Sequence, residues 1–297
     1  MSSVAPARTG SGATLPVLVV VCAIVALWYG LAVVLNAPWA RDQAARDGVA
    51  LGPAALVAAT LTQERPRLPA PDQVVAELWK STIEVVPTSK RSLIYHAWIT
   101  LSATLLGFGL GAALGILLAV GIVHDRTMDA SVMPWVIASQ TIPILAIAPM
   151  IIVVLNSVGV SGLLPKALIS MYLSFFPVAV GMVKGFRCPD RVLLDQMSTW
   201  NASRAQLFWR LRWPAAVPYL FASLKVAVAA ALVGAIIGEM PTGAVAGLGA
   251  RMLSGSYYGQ TVQIWSALLM AALLAAGLVA VIDLAERITA RAMGARP

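Results

Sequence analysis

Six stretches of this chain are long and apolar enough to demand a lipid bilayer around them. They are Leu15–Leu35, Leu93–Val123, Pro134–Leu155, Leu163–Val183, Val217–Glu239 and Val262–Leu284. About 20 apolar residues in helical form cross a hydrocarbon core. Lipid offers the backbone no hydrogen-bond partners, so each open stretch must satisfy itself as an α-helix. The balance of residues agrees, with 59% hydrophobic against 11% charged and a mean hydropathy of +0.83; soluble domains carry about 25% charged residues. The fold class expected is therefore an all-α integral membrane protein with about six transmembrane helices. The net charge of +8 then marks loops beside anionic headgroups rather than a nucleic-acid surface.

The chain divides accordingly. Residues 1–35 hold a tail and the first span, which exceeds a signal-peptide core, lacks a clean small-x-small cleavage site and is read as retained. Residues 36–92 form a long connection. It contains a short apolar piece, Gly48–Leu61, then Leu68-Pro-Ala-Pro71 and a helix from Asp72, its N-cap, to about Glu84. Residues 93–286 carry the remaining spans, and 287–297 form a short basic tail. The loop Lys184–Trp213 holds Lys184, Arg187, Arg191, Arg204, Arg210 and Arg212, and the tail adds Arg287, Arg291 and Arg296. The short loops on the other side hold only Lys166 and Arg251. Positive loops stay in the cytoplasm, which predicts N-in/C-in topology with an extracytoplasmic 36–92. The seven basic residues of that first loop oppose this, but its six acids leave a net charge of only +1, and long loops weigh less in the rule.

The polar segment Asp195–Pro214, DQMSTWNASRAQLFWRLRWP, interrupts this pattern. Its punctuation predicts two short helices. Asp190 caps the first, just after Pro189, and Asn201 stands at its left-handed C′ position. After Ala202, Ser203 opens the second helix, and Gln206 completes a capping box. Leu207, Phe208 and Leu211 share one face, Arg204, Arg210 and Arg212 ring it, and Pro214 stops it. An exposed apolar stripe with a basic rim between spans predicts a docking surface for another protein.

This segment resembles the signature of ABC-importer membrane subunits, which runs Glu-Ala-Ala, then Gly, then Ile, then Leu-Pro. Asp195-Gln196-Met197 hold the first three places, Asn201 the Gly place, Leu211 the Ile place, and Trp213-Pro214 close it. The spacing is kept, while the letters depart: Asp for Glu, no Ala-Ala, Asn for Gly. Gln140-Thr-Ile-Pro143 with Pro149, Gly159, Pro165-Lys166, Phe175-Phe176-Pro177, Pro218, Lys225 and Gly238-Glu239-Met240 are similar to the nitrate/sulfonate/taurine class of permeases. The resemblance runs from roughly Pro69 to Glu286.

It implies a type I ABC importer permease in the bacterial cytoplasmic (inner) membrane, paired with a second permease copy as a homodimer. A separate ABC ATPase subunit would dock on a coupling helix at about 190–213, through Asp195, Asn201, Ala202, Ser203, Arg204, Leu207, Phe208, Arg210, Leu211 and Pro214. An extracytoplasmic substrate-binding protein would meet the side bearing Gly247-Leu248-Gly249 and Ser254–Gly259, where Tyr257 and Tyr258 are either interface anchors or ordinary interfacial aromatics. Substrates in such permeases include nitrate, sulfonates, taurine, pyrimidine-type compounds and riboflavin.

Little in the sequence promises chemistry. Gly107, Gly111 and Gly115 recur every fourth residue within a span, and no preceding strand or Gly-Lys-Ser/Thr ending accompanies them. They predict a close-packing helix face, not a nucleotide loop. No metal ligand set, catalytic group or cofactor motif stands out, so an enzyme is not expected and ATP hydrolysis is assigned to a partner. His96 and His124 are read as interfacial, and Cys22 and Cys188 as small packing residues. Intramembrane polar residues are the pathway candidates: Ser139, Gln140 and Thr141 beside Pro143, Tyr172 with Ser170 and Ser174, and Glu239. Glu239 could bond a helix end across the translocation path or simply be solvated at the interface. Lys225 is expected to snorkel. A pathway without fixed charge except at the span ends favours a small neutral or weakly charged organic solute. The competing class, a secondary transporter or channel, would need inverted repeats or several buried acids, which the spans do not display.

Overall fold

The structure, a computed structural model, describes residues 14–49, 51–240 and 246–294, and holds twelve α-helices and no strand among them. In chain order these are α1 (Thr14–Arg46), α2 (Pro53–Leu61), α3 (Pro71–Trp79), α4 (Leu93–His124), α5 (Arg126–Ser139) and α6 (Ile144–Ser157). There follow α7 (Leu163–Arg187), α8 (Arg191–Thr199), α9 (Arg204–Leu207), α10 (Trp213–Gly238), α11 (Leu248–Tyr257) and α12 (Thr261–Ala292). The expected tail residue Arg296, and Pro241 and Gly243 after Glu239, lie outside the described residues.

The centre is a three-helix contact made by small residues. Gly107, Gly111 and Gly115 of α4 lie directly on α7. A Cβ there would fall 2.3 Å from Ser170 Cβ, 2.0 Å from Ser174 Oγ and 2.7 Å from the Phe175 carbonyl oxygen, respectively. The order of these contacts makes α4 and α7 parallel. On another face of α7, Gly185 meets Ala216 and Gly234 meets the Ser170 backbone, so α10 runs antiparallel. Ser170 and Ser174 are thus packing residues. Ser174 Oγ reaches the Gly107 carbonyl oxygen at 3.4 Å, and both side chains are fully buried. Tail-to-tail apolar attraction cannot drive helices together in lipid, so close backbone approach has to.

Each end of this trio has its own cluster. Ala119, Ile122, Val178, Met182, Val183, Phe186, Phe208 and Ala216 pack at one end. Leu93, Ala97, Leu248, Ala267 and Ala271 pack at the other, where α11 and α12 join. The outward faces stay apolar and exposed, as in α1 from Leu15 to Leu35.

Five local expectations are corrected. The predicted third span, Pro134–Leu155, is two helices, α5 and α6, bent by 97° at Gln140–Pro143. Pro143 has no N–H and biases Ile142 away from helical geometry. Each helix has 14 residues, about 21 Å of rise, short of the roughly 30 Å hydrocarbon core. Among the described residues, five helices are therefore long enough alone, and the bent pair makes a sixth crossing only if taken together.

The first span does not end at Leu35 but continues as α1 to Arg46. Asn36 anchors that extension: its Nδ2 donates to the Leu68 carbonyl at 2.9 Å, and its Oδ1 accepts the Arg67 amide at 2.8 Å. Asp72 does not cap α3. Ala70 occupies the N-cap with Pro71 following, and Gln73 Oε1 accepts the Ala70 amide at 3.1 Å; Asp72 instead accepts the Tyr29 hydroxyl at 3.1 Å.

Pro214 does not stop the second polar helix. A π-turn over Phe208–Arg212 carries α9 into α10, and the Trp213 amide donates to the Phe208 carbonyl. Shifting the bonds by one residue removes the partner that Pro214 could not supply. The result is one continuous rod from Arg204 to Gly238. Finally, Cys22 and Cys188 are exposed thiols rather than packing residues.

Gly111→Leu places a side chain where Ser174 already stands and should cost about 3 kcal/mol by overpacking. We expect a large drop in melting temperature in detergent, while Gly109→Leu, whose Cβ meets open space, melts near the parent. Equal melting of the two variants would remove the stripe from its central role.

Candidate functional site

The two-helix segment folds from its own caps. At the end of α8, Asn201 has φ +52°, the only left-handed non-glycine among the described residues. The Ala202 amide bonds the Met197 carbonyl at 3.0 Å and the Asn201 amide bonds the Ser198 carbonyl at 2.9 Å, which is the Schellman pattern. Asp190 sits at the N-cap of α8 but makes no side-chain cap bond. Ser203 and Gln206 form the predicted reciprocal box: Gln206 N–H to Ser203 Oγ at 3.3 Å, and Ser203 N–H to Gln206 Oε1 at 2.9 Å.

The apolar stripe is arranged differently from expectation. Phe208 is buried, with its ring centroid 5.1 Å from Phe186 and 5.0 Å from His124. Leu207, Leu211, Arg212 and Pro214 are half-buried, as is Ala202, while Asp195, Asn201, Ser203, Arg204 and Arg210 are exposed. Phe208 turns inward because it fills the aromatic gap between the ends of α4, α7 and α10. The exposed apolar groups are instead Trp209 (62%) and Trp200 (68%), joined by Val192 on α8, a helix that buries no residue. Helical spacing alone pointed to Phe208. The signal for the tryptophans was their isolation among charged and polar neighbours.

The pathway candidates separate into two places. Ser139, Gln140 and Thr141 lie at the α5–α6 bend, and the Tyr172 hydroxyl donates to the Ser139 carbonyl there. Gln140 and Thr141 are exposed, and Ser139 Oγ and Thr141 Oγ1 each bond a carbonyl one turn back at 2.7 Å. Four uncharged polar side chains thus edge a break in the membrane-embedded backbone, the kind tolerated beside protein or water.

Glu239 is not with them. It lies fully buried at the end of α10, facing α4 and the start of α11. Its Oε2 accepts the Gly249 amide at 2.9 Å, Thr100 Oγ1 donates to the carboxylate at 2.9 Å, and Lys166 Nζ stands 3.8 Å from Oε1. Thr100 Oγ1 also accepts the Leu248 amide at 2.9 Å, and Lys166 Nζ donates to the Ala246 carbonyl at 3.0 Å. Glu239 is therefore not solvated but accepts from the first turn of α11.

His96, read as interfacial, belongs to the same network. Its Nδ1 accepts the Gly247 amide at 3.0 Å, so its Nε2–H donates to the Lys90 carbonyl, also at 3.0 Å. Gly247 must be glycine: its φ is +129° and a Cβ would fall 2.1 Å from Glu239 Cδ. On α11, outside the spans, burial pushes the Arg251 guanidinium below its usual range, opposed by Glu77. Lys225 does not simply snorkel; its Nζ pairs with Asp283 at 2.7 Å and with Glu286, tying α10 to α12.

Comparison with known proteins places these features in a wider group. The family "Binding-protein-dependent transport system inner membrane component" matches residues 111–295. The formylaminopyrimidine transport permease protein ThiX of Halalkalibacterium halodurans is 31% identical over 61% of this chain and 68% of its own length. The riboflavin transport system permease protein RibX of Chloroflexus aurantiacus is 32% identical over 75% of this chain and 80% of its own. In fold, the chain is similar to a chain of the MetNI methionine ABC transporter in an inward-facing conformation, with a TM-score of 0.54 and 20% identity, over 67% of this chain and 95% of that one.

Two substitutions test the local geometry. A β-branched residue in the left-handed conformation costs about 1–2 kcal/mol. Asn201→Val should therefore speed hydrogen exchange of the Ala202 amide by roughly 5- to 30-fold, while Asn201→Gly leaves it at or below the parent rate; parent-like exchange in the valine variant would contradict the turn. Glu239→Ala leaves Lys166 and the Gly249 amide without their carboxylate, and breaking a buried pair costs about 3–5 kcal/mol. The melting temperature of that variant should fall far below that of Glu239→Gln, which keeps an acceptor in place.

Proposed function

Because the chain belongs to the family of binding-protein-dependent transport inner membrane components, a multi-pass permease subunit of the ABC-importer kind, we propose how it is driven and oriented. An ATPase subunit docks on α8–α9 and hydrolyses ATP, and a substrate-binding protein delivers solute at the opposite end. Two copies of this chain enclose the path. The observation that carries this reading is the capped, solvent-facing pair α8–α9, joined without a break to the α10 rod. Exposed apolar side chains on a capped surface helix that buries none of its own residues support docking of a partner there.

Charge supports the orientation. Lys184, Arg187, Arg191, Arg204 and Arg210 gather at the α8–α9 end, with Arg287 and Arg291 in the last turns of α12. That end is assigned to the cytoplasm, which gives N-in/C-in topology and places residues 36–92 outside. The domain division follows: first span, outer connection, permease core from 93 to 286, and inner tail. The solute is assigned as a small neutral or weakly charged organic molecule. The uncharged set Ser139, Gln140, Thr141 and Tyr172 at the α5–α6 bend supports this, as do relatives named for formylaminopyrimidine and riboflavin transport.

The docking surface is tested at the exposed aromatics. Trp209→Ala and Trp200→Ala should each weaken co-purification of the ATPase by at least about tenfold, as expected for aromatic anchors worth more than 1 kcal/mol, and should lower uptake in parallel. Arg210→Ala should be milder and salt-sensitive. Both tryptophan variants binding ATPase as the parent does would move the docking site elsewhere. Phe208→Ala, in contrast, should act first on the melting temperature.

A further inference from the structure

Helix α11 opens on amides that no turn of its own can satisfy, and side chains of other elements take three in a row. His96 Nδ1 accepts the Gly247 amide at 3.0 Å, Thr100 Oγ1 the Leu248 amide at 2.9 Å, and Glu239 Oε2 the Gly249 amide at 2.9 Å. All three residues of this turn are buried. His96 differs from the other two acceptors because both of its ring nitrogens are committed. Nε2 stands 3.0 Å from the Lys90 carbonyl, which can only accept. The proton therefore sits on Nε2, and Nδ1 keeps its lone pair for Gly247. His124, the other histidine of the chain, holds the opposite tautomer, with Nδ1 donating to the Val120 carbonyl at 2.8 Å.

A second proton on His96 has only Nδ1 to occupy, where the Gly247 N–H already points. Two donors would then face each other and the amide would lose its acceptor. The surroundings do not compensate. Lys166 of α7 and Arg251 of α11 already bring positive charge near the ring. Glu77 of α3 faces Arg251, and the Tyr95 ring stands edge-on to His96 at 5.6 Å. Glu239, at the end of α10, is taken up by Gly249, Thr100 and Lys166. The first turn of a helix also carries the positive end of its dipole. The bonded arrangement thus admits only the neutral ring.

We infer that His96 is a proton-sensitive latch: neutral, it holds the start of α11 against α4, and protonated, it lets that start go. Once released, the imidazole meets water and takes a proton near the ordinary histidine value of about 6.5. The released state then binds one proton more than the latched state, so the latch is at full strength above that value and weakens as pH falls below it. Between about pH 7.5 and about pH 5.5 the ratio of released to latched chains rises roughly tenfold. Since α11 lies at the end opposite α8–α9, the proposed orientation makes the outer pH the one that acts. The latch itself needs neither that orientation nor any partner, so its failure leaves the proposed function untouched.

The test is hydrogen exchange of the Gly247, Leu248 and Gly249 amides in the purified full-length chain in lipid nanodiscs, each rate divided by that of an unprotected amide at the same pH. In the parent, protection should fall roughly tenfold between about pH 7.5 and about pH 5.5. In His96→Asn, whose Oδ1 can accept near the place of Nδ1 and cannot titrate, it should change less than about twofold. His96→Ala should be poorly protected to the same degree at both pH values. Parent protection that does not respond to pH overturns the latch. So does a His96→Asn variant that loses protection as steeply as the parent, because the titrating group is then another, such as Glu239. If His96→Asn does not fold, nitrogen NMR of the histidine-labelled parent decides, since the two histidines hold opposite tautomers. His96 turning to imidazolium as protection is lost supports the latch, and His96 remaining neutral while protection is lost overturns it.

Discussion

Everything in this molecule hangs on how closely α4 can approach α7. Apolar side chains gain nothing by leaving lipid for one another, so the helices must be held by contact and hydrogen bonding. Glycine at three successive turns of α4 brings the backbones near enough for Ser174 to reach across to the Gly107 carbonyl. The same device, with Gly181, Gly185 and Gly234, seats α10. With that trio fixed, both ends are fixed, because each is built on residues that these helices project past the contact.

The two ends are held by different physics. At one, Phe208, Phe186, Trp213 and His124 form an aromatic cage that needs no charge. At the other, buried Glu239 gathers the Gly249 amide, Thr100 and Lys166, drawing α4, α7, α10 and α11 onto one carboxylate. A buried charge is tolerable only with such partners. One rod links the two, from Arg204 to Gly238, with 35 residues and a length of about 50 Å. The α9 end and the Glu239 network are thus joined by one continuous helical backbone. The π-turn at Phe208–Arg212 makes this possible by carrying the helix through Pro214.

The weaker elements lie outside the trio. The α5–α6 bend rests on Pro143 and on one Tyr172 bond to a carbonyl, and it places uncharged polar groups beside broken backbone within the apolar region. The outer connection is fixed by Asn36, whose amide serves three backbone groups between Arg67 and Leu68. Lys225, Asp283, Glu286 and Arg287 lace α10 to α12. These links hold peripheral helices to a core that does not depend on them.

The sequence by itself determined the class, the position of five of the six expected apolar helices, the close-packing role of Gly107, Gly111 and Gly115, and the caps at Asn201, Ser203 and Gln206. These are local properties: hydropathy over one span, period along one helix, or bonds between residues a few positions apart. Tertiary structure decided what depends on neighbours distant in the chain. Phe208 turned inward because the ends of α4 and α7 offered an aromatic gap, leaving Trp200 and Trp209 outside. Glu239 became a buried hub because Thr100, 139 positions away, and the α11 amides converge on it. The third span broke because Tyr172 could satisfy the carbonyl that Pro143 helped to free. Periodicity tells which residues share a helix face; only packing tells what that face meets.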